Sequence, residues 1–439
     1  MLATAQSAVL VGLAAQPVRV EVQVARGIPS FELVGLPEAA VRESRVRVKS
    51  ALAGVGVDVS EYRIVVNLAP ADLKKRGSAF DLAIAAATLG ALGAVPEDAL
   101  GDVLYLGELS LSGHVHPLRG AIAHLVAARA RGVSRVLVPR ENEREAALVD
   151  DLEIGMVGSL EDLVAALRGE RALPRPSQKG GLALGAIEAD LSEVRGQPAA
   201  RRALEVAAAG GHNLLFMGPP GAGKTMLARR LPGILPPLSR EEALEVMAIQ
   251  GVAGLPPESR TAGARPFRAP HHTVSEIALV GGGELARPGE VSLAHRGVLF
   301  LDELAEFRRP ALEALRQPLE DGFVTIARVH ARATFPAQPM VVAATNPCPC
   351  GNQGSGAGQC PCRPEHVRAY RSRLSGQIVD RLDMHHVLPR GDGLADQWAL
   401  PGEGRAARRP STSTPTSVRP ISPASARSTA RAPRCWPAR

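Results

Sequence analysis

The sequence has 439 residues, of which 45% are hydrophobic and 22% are charged, and its formal net charge is +7. This usage is typical of a globular protein with two or three domains, and it excludes a chain that is disordered throughout. No apolar run approaches the ~18 residues of a membrane span, and no basic segment precedes the apolar amino terminus. We therefore expect a cytoplasmic protein without membrane contact.

The basic charge is concentrated near the carboxyl end. Residues 391–439 contain eight arginines and three acidic residues, which leaves a net charge of only +2 for residues 1–390. Any contact of those first 390 residues with nucleic acid must therefore depend on local surfaces rather than on the overall charge.

Residues 1–170 predict a first α/β domain. Alternating valines from Val18 to Val24 are typical of a half-buried strand, and Pro37 begins a helical pattern that continues through Leu52. The later predicted elements are a strand RIVVNL, a helix FDLAIAAATLGAL, a hairpin VLYLGELSLSGHV, a helix AIAHLVAARARG, a strand RVLVP and a helix SLEDLVAALRG. Prolines and glycines then indicate a linker over residues 171–188.

Residues 189–390 predict a second α/β domain with a parallel sheet. A helix PAARRALEVAAAG, a strand HNLLFMG and a helix KTMLARRL flank a glycine-rich turn. The apolar runs GVLFLDE and MVVAATN predict core strands, because strands of a parallel sheet are buried on both faces.

The glycine-rich turn carries a phosphate-binding motif. Residues 218–225 read GPPGAGKT, which matches G-x-x-x-x-G-K-[ST] between a predicted strand and a predicted helix. Backbone amides of such a loop surround phosphates, Lys224 reaches the terminal phosphates, and the Thr225 hydroxyl is a ligand for Mg²⁺. The predicted ATP-binding residues are Gly218, Pro219, Pro220, Gly221, Ala222, Gly223, Lys224, Thr225 and Met226. The motif predicts that the second domain is a P-loop NTPase domain. The alternative is a glycine-rich turn that binds no ligand.

Three further polar positions complete a candidate catalytic site. Asp302 and Glu303 end the strand GVLFLDE, where the first can hold Mg²⁺ and the second can act as general base. Asn346 ends the strand MVVAATN and is a candidate sensor that orients water, although asparagine is also a common turn residue. Arg381 can supply positive charge to a neighbouring subunit, or can instead pair with Asp380 or Asp383.

Four of the five cysteines lie close together in the sequence. Cys348, Cys350, Cys360 and Cys362 form two C-x-C pairs in a loop rich in glycine and proline. Four thiolates at the base of one loop can bind Zn²⁺ tetrahedrally. Free thiols and a redox disulfide remain the alternatives.

The second domain contains the segments GHNLLFMGPPGAGKTMLARRLPGILPPL, RPFRAPHHTVSEIALVGGG, RPGEVSLAHRGVLFLDELAEF, LEALRQPLEDG and NPCPCG. These segments give the domain a resemblance to the magnesium-chelatase-type AAA+ ATPases of the YifB/ComM family. It implies a homohexameric ring with nucleotide at the subunit interfaces, Arg381 as arginine finger and Asn346 as first sensor. It also implies helicase activity on branched or single-stranded DNA during recombination, with a chelatase subunit or a non-catalytic scaffold as alternatives.

The same resemblance suggests which segments face the ring channel. RPFRAPHHTVSEIALVGGG and the hairpin GFVTIARVHARATFP are the two candidates, and cationic side chains there suit contact with a phosphate backbone. The exposed candidates of the hairpin are Thr325, Arg328, His330 and Arg332. A solvated hairpin face is the alternative. His271 and His272 can equally be structural histidines, and we do not expect them to be metal ligands.

The first domain contains the blocks RGSAFDLAIA and GHVHPLRGAIAHLVAARARGVSRVLVPRENE. They resemble the blocks that carry the serine and the lysine of the proteolytic domain of Lon, which implies a Lon-protease-like (S5-type) α/β domain. Ser78 falls near the serine position, but Ile122 stands at the lysine position, and none of His114, His116 and His124 replaces it. Since an isoleucine cannot accept a proton, we expect an inactive, structural or partner-binding domain. Ser78 is instead predicted to cap the helix FDLAIAAA.

Residues 391–439 differ from the family, whose members continue into a helical lid domain. This segment is rich in proline, serine and arginine and cannot bury a core, so we expect a disordered tail. Our hypothesis is a frameshift or sequencing error near Arg390, and a genuine basic tail that binds DNA is the alternative. Without a lid, the chain as written is expected to hydrolyse ATP poorly.

Overall fold

The computed structural model describes residues 1–177, 189–256, 263–283, 286–328, 331–354, 360–374 and 376–389. Most of the predicted linker and the whole predicted tail lie outside these residues. Among the helices described, we find none with the length and apolar character that crossing a bilayer requires. The predicted mixed α/β class is confirmed.

The amino-terminal half is built around a seven-stranded sheet. Its strands β1–β9 are Leu2–Val11, Ala14–Arg26, Ser30–Val34, Tyr62–Ala69, Val103–Tyr105, Glu108–Leu109, Val115–His116, Arg135–Pro139 and Glu153–Val157. The sheet order is β3-β4-β2-β1-β5-β8-β9, antiparallel across β4-β2-β1 and parallel elsewhere. The predicted alternation in β2 is confirmed, since the valines from Val18 to Val24 are all buried.

Helices cover this sheet. Helices α1–α5 are Ala39–Gly54, Asp81–Ala91, Ala121–Ala130, Glu143–Ala146 and Leu160–Leu167. Ten of the eleven side chains of α2 are buried because it packs against β1 and β2 and is also contacted by α1. A helix that is apolar on all sides needs such an enclosed position.

The structure corrects three expectations for this half. The strand β1 was not foreseen, although it pairs along its whole length with β2. The hairpin predicted from Val103 is formed only by β6 and β7, whereas β5 joins the main sheet beside β1 and β8. Ser78 does not cap α2, because the helix begins at Asp81 and the Ser78 hydroxyl donates instead to the carboxylate of Glu108.

The carboxyl-terminal half contains a five-stranded sheet that is parallel throughout, as predicted. Its strands β10–β18 are Leu214–Met217, Phe267–Arg268, Gly281–Gly282, Arg287–Pro288, Val298–Leu301, Phe323–Arg328, Ala331–Pro336, Met340–Thr345 and Met384–Val387. The sheet order is β11-β14-β17-β10-β18, while β12-β13 and β15-β16 form separate hairpins. Helices α6–α14 are Pro198–Gly210, Lys224–Ile234, Arg240–Ala253, Glu276–Val280, Glu290–Leu293, Arg309–Ala314, Arg316–Asp321, Pro364–Arg371 and Gly376–Val379.

The two halves share a hydrophobic core. Helix α3 packs against α8, and Leu125 and Met247 belong to one buried cluster. Arg129 and Glu241 form an ion pair of 3.0 Å beside this contact. The hairpin β15-β16 also reaches the first half, since a methyl group at Gly12 would lie 3.1 Å from Cβ of Ala333. The amino-terminal half therefore packs against α8 and the hairpin β15-β16 of the carboxyl-terminal half.

Candidate functional site

Three neighbouring strands in the middle of the parallel sheet have their carboxyl ends side by side. Strand β17 lies between β10 and β14, with Met217 opposite Thr345 and Leu301 opposite Ala343. The segments that follow these strands begin at Gly218, Asp302 and Asn346. Ligands of open parallel sheets bind at these carboxyl ends, so the fold places three separately predicted segments in one location.

The phosphate loop joins β10 to α7. Gly221 and Gly223 have φ angles of +78° and +84°, which glycine adopts without the strain that a side chain would introduce. Helix α7 begins at Lys224, and no side chain caps its amino end. All nine predicted nucleotide-binding residues lie in this loop and the first turn of α7. Uncapped amides at a helix amino end fit an anionic ligand.

The Lys224 ammonium is held above the loop by neutral oxygen atoms. Nζ donates to the carbonyl oxygens of Gly218 at 2.7 Å and Pro219 at 3.0 Å, and to Oδ1 of Asn346 at 3.0 Å. Partial burial lowers the pKa of Lys224, and the charges of Asp302 and Glu303 oppose this decrease. Since these hydrogen-bond acceptors carry no formal charge, the ammonium fits a phosphate group.

The two predicted Mg²⁺ ligands lie side by side. The Thr225 hydroxyl donates to Oδ2 of Asp302 at 2.8 Å. The other carboxylate oxygen of Asp302 accepts the backbone N–H of Glu303 at 2.9 Å, which fixes the orientation of this side chain. A hydroxyl next to an oriented carboxylate matches the oxygen ligands that Mg²⁺ prefers.

Glu303 has an unexpected partner. Its Oε2 lies 3.2 Å from Nδ1 of His272, and its backbone has a φ of +53°. A non-glycine residue in this region costs about 1–3 kcal/mol, and such strain is frequent at functional sites. This contact was not predicted, because from the sequence His272 could equally be a structural histidine. The position of the RPFRAPHH block between the strands of the ATP site was the available signal.

Arg381 lies at the opposite end of the strands, beside the amino end of β10. Its carbonyl oxygen accepts Nδ2 of Asn213, the residue before β10, at 3.0 Å. Its guanidinium pairs with Glu320, not with either of the two aspartates considered from the sequence. Hydrogen bonding from Arg316 and the charge of Arg381 lower the pKa of Glu320. The structure therefore does not bring Arg381 to the phosphate loop of its own chain.

The four clustered cysteines converge next to Asn346. Their sulfur atoms all lie within 4.8 Å of one another, and none of them forms a disulfide. Burial raises the pKa of Cys348, but hydrogen bonds from the amide of Gln353 and from the other thiols lower it in net to about 7. The backbone hydrogen bond from Cys362 lowers the pKa of Cys360, but desolvation and the neighbouring thiols raise it in net. Four thiols this close together can serve, as thiolates, as ligands of one metal ion.

The predicted hairpin is formed by β15 and β16. Ile326 and Phe335 of the hairpin β15-β16 are buried, while Arg332 on the same hairpin is exposed. The side chain of Arg328 and the whole of His330 lie outside the described residues.

The two positions compared with the serine and the lysine of Lon lie in the first half. Ile122 is fully buried in α3, and the Ser78 hydroxyl donates to the carboxylate of Glu108.

Two family models match the chain. One, described as magnesium chelatase, subunit ChlI, matches residues 190–393, and another, described as subunit ChlI of Mg-chelatase, matches residues 20–142. The chain is 43% identical over 396 residues to the uncharacterized protein YifB of Escherichia coli (strain K12), covering 90% of this chain and 78% of YifB.

Two further relatives are informative. The competence protein ComM of Haemophilus influenzae is 42% identical over 407 residues, which cover 92% of this chain and 79% of ComM. Lon protease 2 of Bacillus subtilis is 28% identical over 145 residues, which cover 31% of this chain and 26% of that protein.

Proposed function

The chain belongs to the YifB/ComM family of AAA+ ATPases of the magnesium chelatase ChlI type, and from this membership we propose that it is an ATP-driven motor acting on branched or single-stranded DNA. ATP supplies the free energy of the motor, and Mg²⁺ neutralises the phosphate charge. The remaining roles belong to residues of the chain.

The contact between Lys224 and Asn346 carries the ATPase part of the proposal. It joins the phosphate loop to the end of β17 at 3.0 Å. In our assignment, Lys224 binds the terminal phosphates, while Thr225 and Asp302 hold Mg²⁺. Glu303 accepts a proton from the attacking water, and Asn346 orients that water.

The position of Arg381 supports a ring assembly. Arg381 lies at the amino end of β10, whereas the phosphate loop of its own chain follows the carboxyl end of that strand. This position suits contact with the site of a neighbouring subunit. We propose a homohexamer in which Arg381 leaves Glu320 and stabilises the transferring phosphoryl group across the interface. Both side chains of this pair are partly exposed, so solvent screens their attraction, which opposes their separation only weakly.

The DNA part of the proposal is supported by a relative and by one surface. The name of the Haemophilus relative, competence protein, favours work on DNA. The exposed Arg332 on the hairpin β15-β16 is a side chain that can contact a phosphate backbone. For the Lon-like half we propose a supporting role without peptidase activity, because Ile122 is buried where a lysine would be needed.

The alternative is an ATPase subunit for metal insertion into a tetrapyrrole, which the description of the matching family model favours. The deciding experiment measures ATP turnover with no addition, with forked DNA and with protoporphyrin. We expect stimulation by forked DNA only. Lys224→Ala should abolish the stimulated turnover, while Lys49→Ala, a change at an exposed lysine of α1, should preserve it. Turnover that does not respond to DNA would remove the motor from consideration.

A further inference from the structure

The four-cysteine cluster lies between the end of β17 and helix α13. Cys348 follows Asn346 by two residues, and Cys362 precedes α13 by two residues. Tyr370 of α13 is almost fully buried and hydrogen-bonds with Thr345 and Asn346. Any ligand that orders the cluster therefore also orders the end of β17.

The sulfur positions match a tetrahedral metal site. Sγ of Cys348 lies 3.4 Å from Sγ of Cys350 and 3.6 Å from Sγ of Cys360, and the last two sulfur atoms are 3.5 Å apart. Four sulfur atoms placed about 2.3 Å from a central zinc ion lie about 3.8 Å from one another. A disulfide requires a separation of about 2.05 Å, so the observed spacing is much closer to that of a zinc site.

The loop between the two cysteine pairs contacts the phosphate loop. Gly351 has a φ of +81°, and a methyl group at its Cα would overlap Cδ of Pro220. Its backbone N–H donates to the carbonyl oxygen of Cys348 at 2.9 Å, which ties this contact directly to the cluster. From α13, Arg371 donates to the carbonyl oxygen of Pro347 at 3.4 Å and to Gln353 at 3.3 Å.

We propose that Cys348, Cys350, Cys360 and Cys362 bind one Zn²⁺ as thiolates, and that the bound ion holds Gly351 against Pro220 and thereby maintains the affinity of the phosphate loop for ATP. The ion exchanges its water ligands for four sulfur atoms, and the thiol protons pass to solvent. The first half of this proposal stands on the cluster alone. The second half rests on the proposed function, because it assumes that residues 218–226 bind nucleotide.

The metal site is tested by elemental analysis of the full chain purified under reducing conditions. We expect one zinc per chain, and X-ray absorption should show four sulfur ligands. Cys348→Ser and Cys360→Ser should each lose the zinc, whereas Cys435→Ser, a change at the fifth cysteine, should retain it. If a variant does not fold, reversible removal of zinc from the unaltered chain and its return, followed by thiol counting, provides the same test. A chain that neither contains zinc nor takes it up after reduction would overturn the proposal.

The coupling is tested with two glycine variants. Gly351 and Gly354 both have positive φ angles. A methyl group at Gly351 would meet Pro220, whereas one at Gly354 would have no atom of the described residues within 4 Å. Gly351→Ala should weaken binding of a fluorescent ATP analogue at least tenfold while one zinc per chain remains. Gly354→Ala should leave both the affinity and the zinc content unchanged. Equal affinities for the two variants would overturn the coupling.

A third variant separates this inference from the proposed function. Lys224→Ala should bind nucleotide about 10- to 100-fold more weakly and keep its zinc. If zinc is absent while the unaltered chain binds ATP, the metal site is wrong and the ATPase proposal stands. If zinc is present while neither the unaltered chain nor Lys224→Ala binds ATP, the site is right and the ATPase proposal fails.

Discussion

Nζ of Lys224 and Oδ1 of Asn346 lie 3.0 Å apart, although the two residues are 122 positions apart in the sequence. The contact links the phosphate loop to the neighbouring strand end. A phosphate that reaches Lys224 therefore also comes within range of Asn346. This gives a physical route from nucleotide binding to the residues that follow β17, which include the cysteine cluster.

Removing the ammonium of Lys224 should weaken ATP binding. A hydrogen bond to a charged group is worth about 1.5–3 kcal/mol, so Lys224→Ala should raise the Kd for ATP about 10- to 100-fold. Thermal stabilisation by ATP and Mg²⁺ measures this effect. Lys49→Ala is the control, and equal stabilisation of the two variants would contradict the assignment.

Asn346 should matter more for turnover than for binding. If its amide orients the attacking water, Asn346→Ala should lower kcat about 100-fold with a much smaller effect on the Kd for ATP. Single-turnover hydrolysis alongside equilibrium binding separates the two quantities. A loss confined to binding would reduce Asn346 to a partner of Lys224.

The contact between His272 and Glu303 should restrain the general base. Their side chains lie 3.2 Å apart, so the carboxylate is held by the imidazole when no other ligand is bound. His272→Ala should raise ATP turnover in the absence of DNA and reduce the further stimulation by DNA. His271→Ala is the matched control, since His271 contacts Thr273 instead of Glu303. A decrease in the DNA-independent turnover would show that the imidazole assists catalysis.

Arg381 should act in the site of another chain. Arg381→Ala should leave ATP binding intact and lower turnover by about 10³-fold, the range in which arginine fingers act. Mixing this variant with Lys224→Ala should restore part of the activity, because some interfaces then combine an intact Arg381 with an intact Lys224. Arg316→Ala removes another partner of Glu320 and serves as control. If the mixture recovers no turnover, Arg381 does not act in the ATP site of a neighbouring chain.

His124 should make stability depend on pH. Burial lowers its pKa from 6.5 to about 4, although hydrogen bonds to the backbone at Gly120 and Ala8 oppose the change. Below pH 6.5 the unfolded chain binds a proton that the folded chain does not accept until about pH 4. Stability therefore falls with decreasing pH across this window, by about 3 kcal/mol for this group.

Urea unfolding between pH 4 and pH 7 measures this slope. His124→Gln should flatten it, whereas a change at the exposed His116 should not. An unchanged slope in His124→Gln would place the pH dependence in other groups.

Local patterns were sufficient to predict much of the ATPase half. The motif GPPGAGKT, the two apolar strands and the acidic pair at Asp302 and Glu303 were each recognised within short segments. Their convergence also follows from the sequence, because neighbouring parallel strands end at the same edge of a sheet. The roles assigned to these residues remain predictions until they are measured.

The missed or wrong predictions involve partners that are remote in the sequence. Ser78 binds Glu108 instead of capping a helix, since a carboxylate that is close in space competes with the local backbone amides. Similarly, β1 lacked a strong pattern of its own, and its existence depends on pairing with β2 and β5.

The sequence by itself determined the α/β class, the phosphate loop and the family, because these depend on short-range periodicity and on motifs of a few residues. Only the tertiary structure decided that His272 contacts Glu303 and that Gly351 contacts Pro220. It also decided that Arg381 lies at the amino end of β10, at the other end of this strand from its own phosphate loop. Such contacts depend on how the strands and helices pack, and packing sums many weak interactions that no short segment contains.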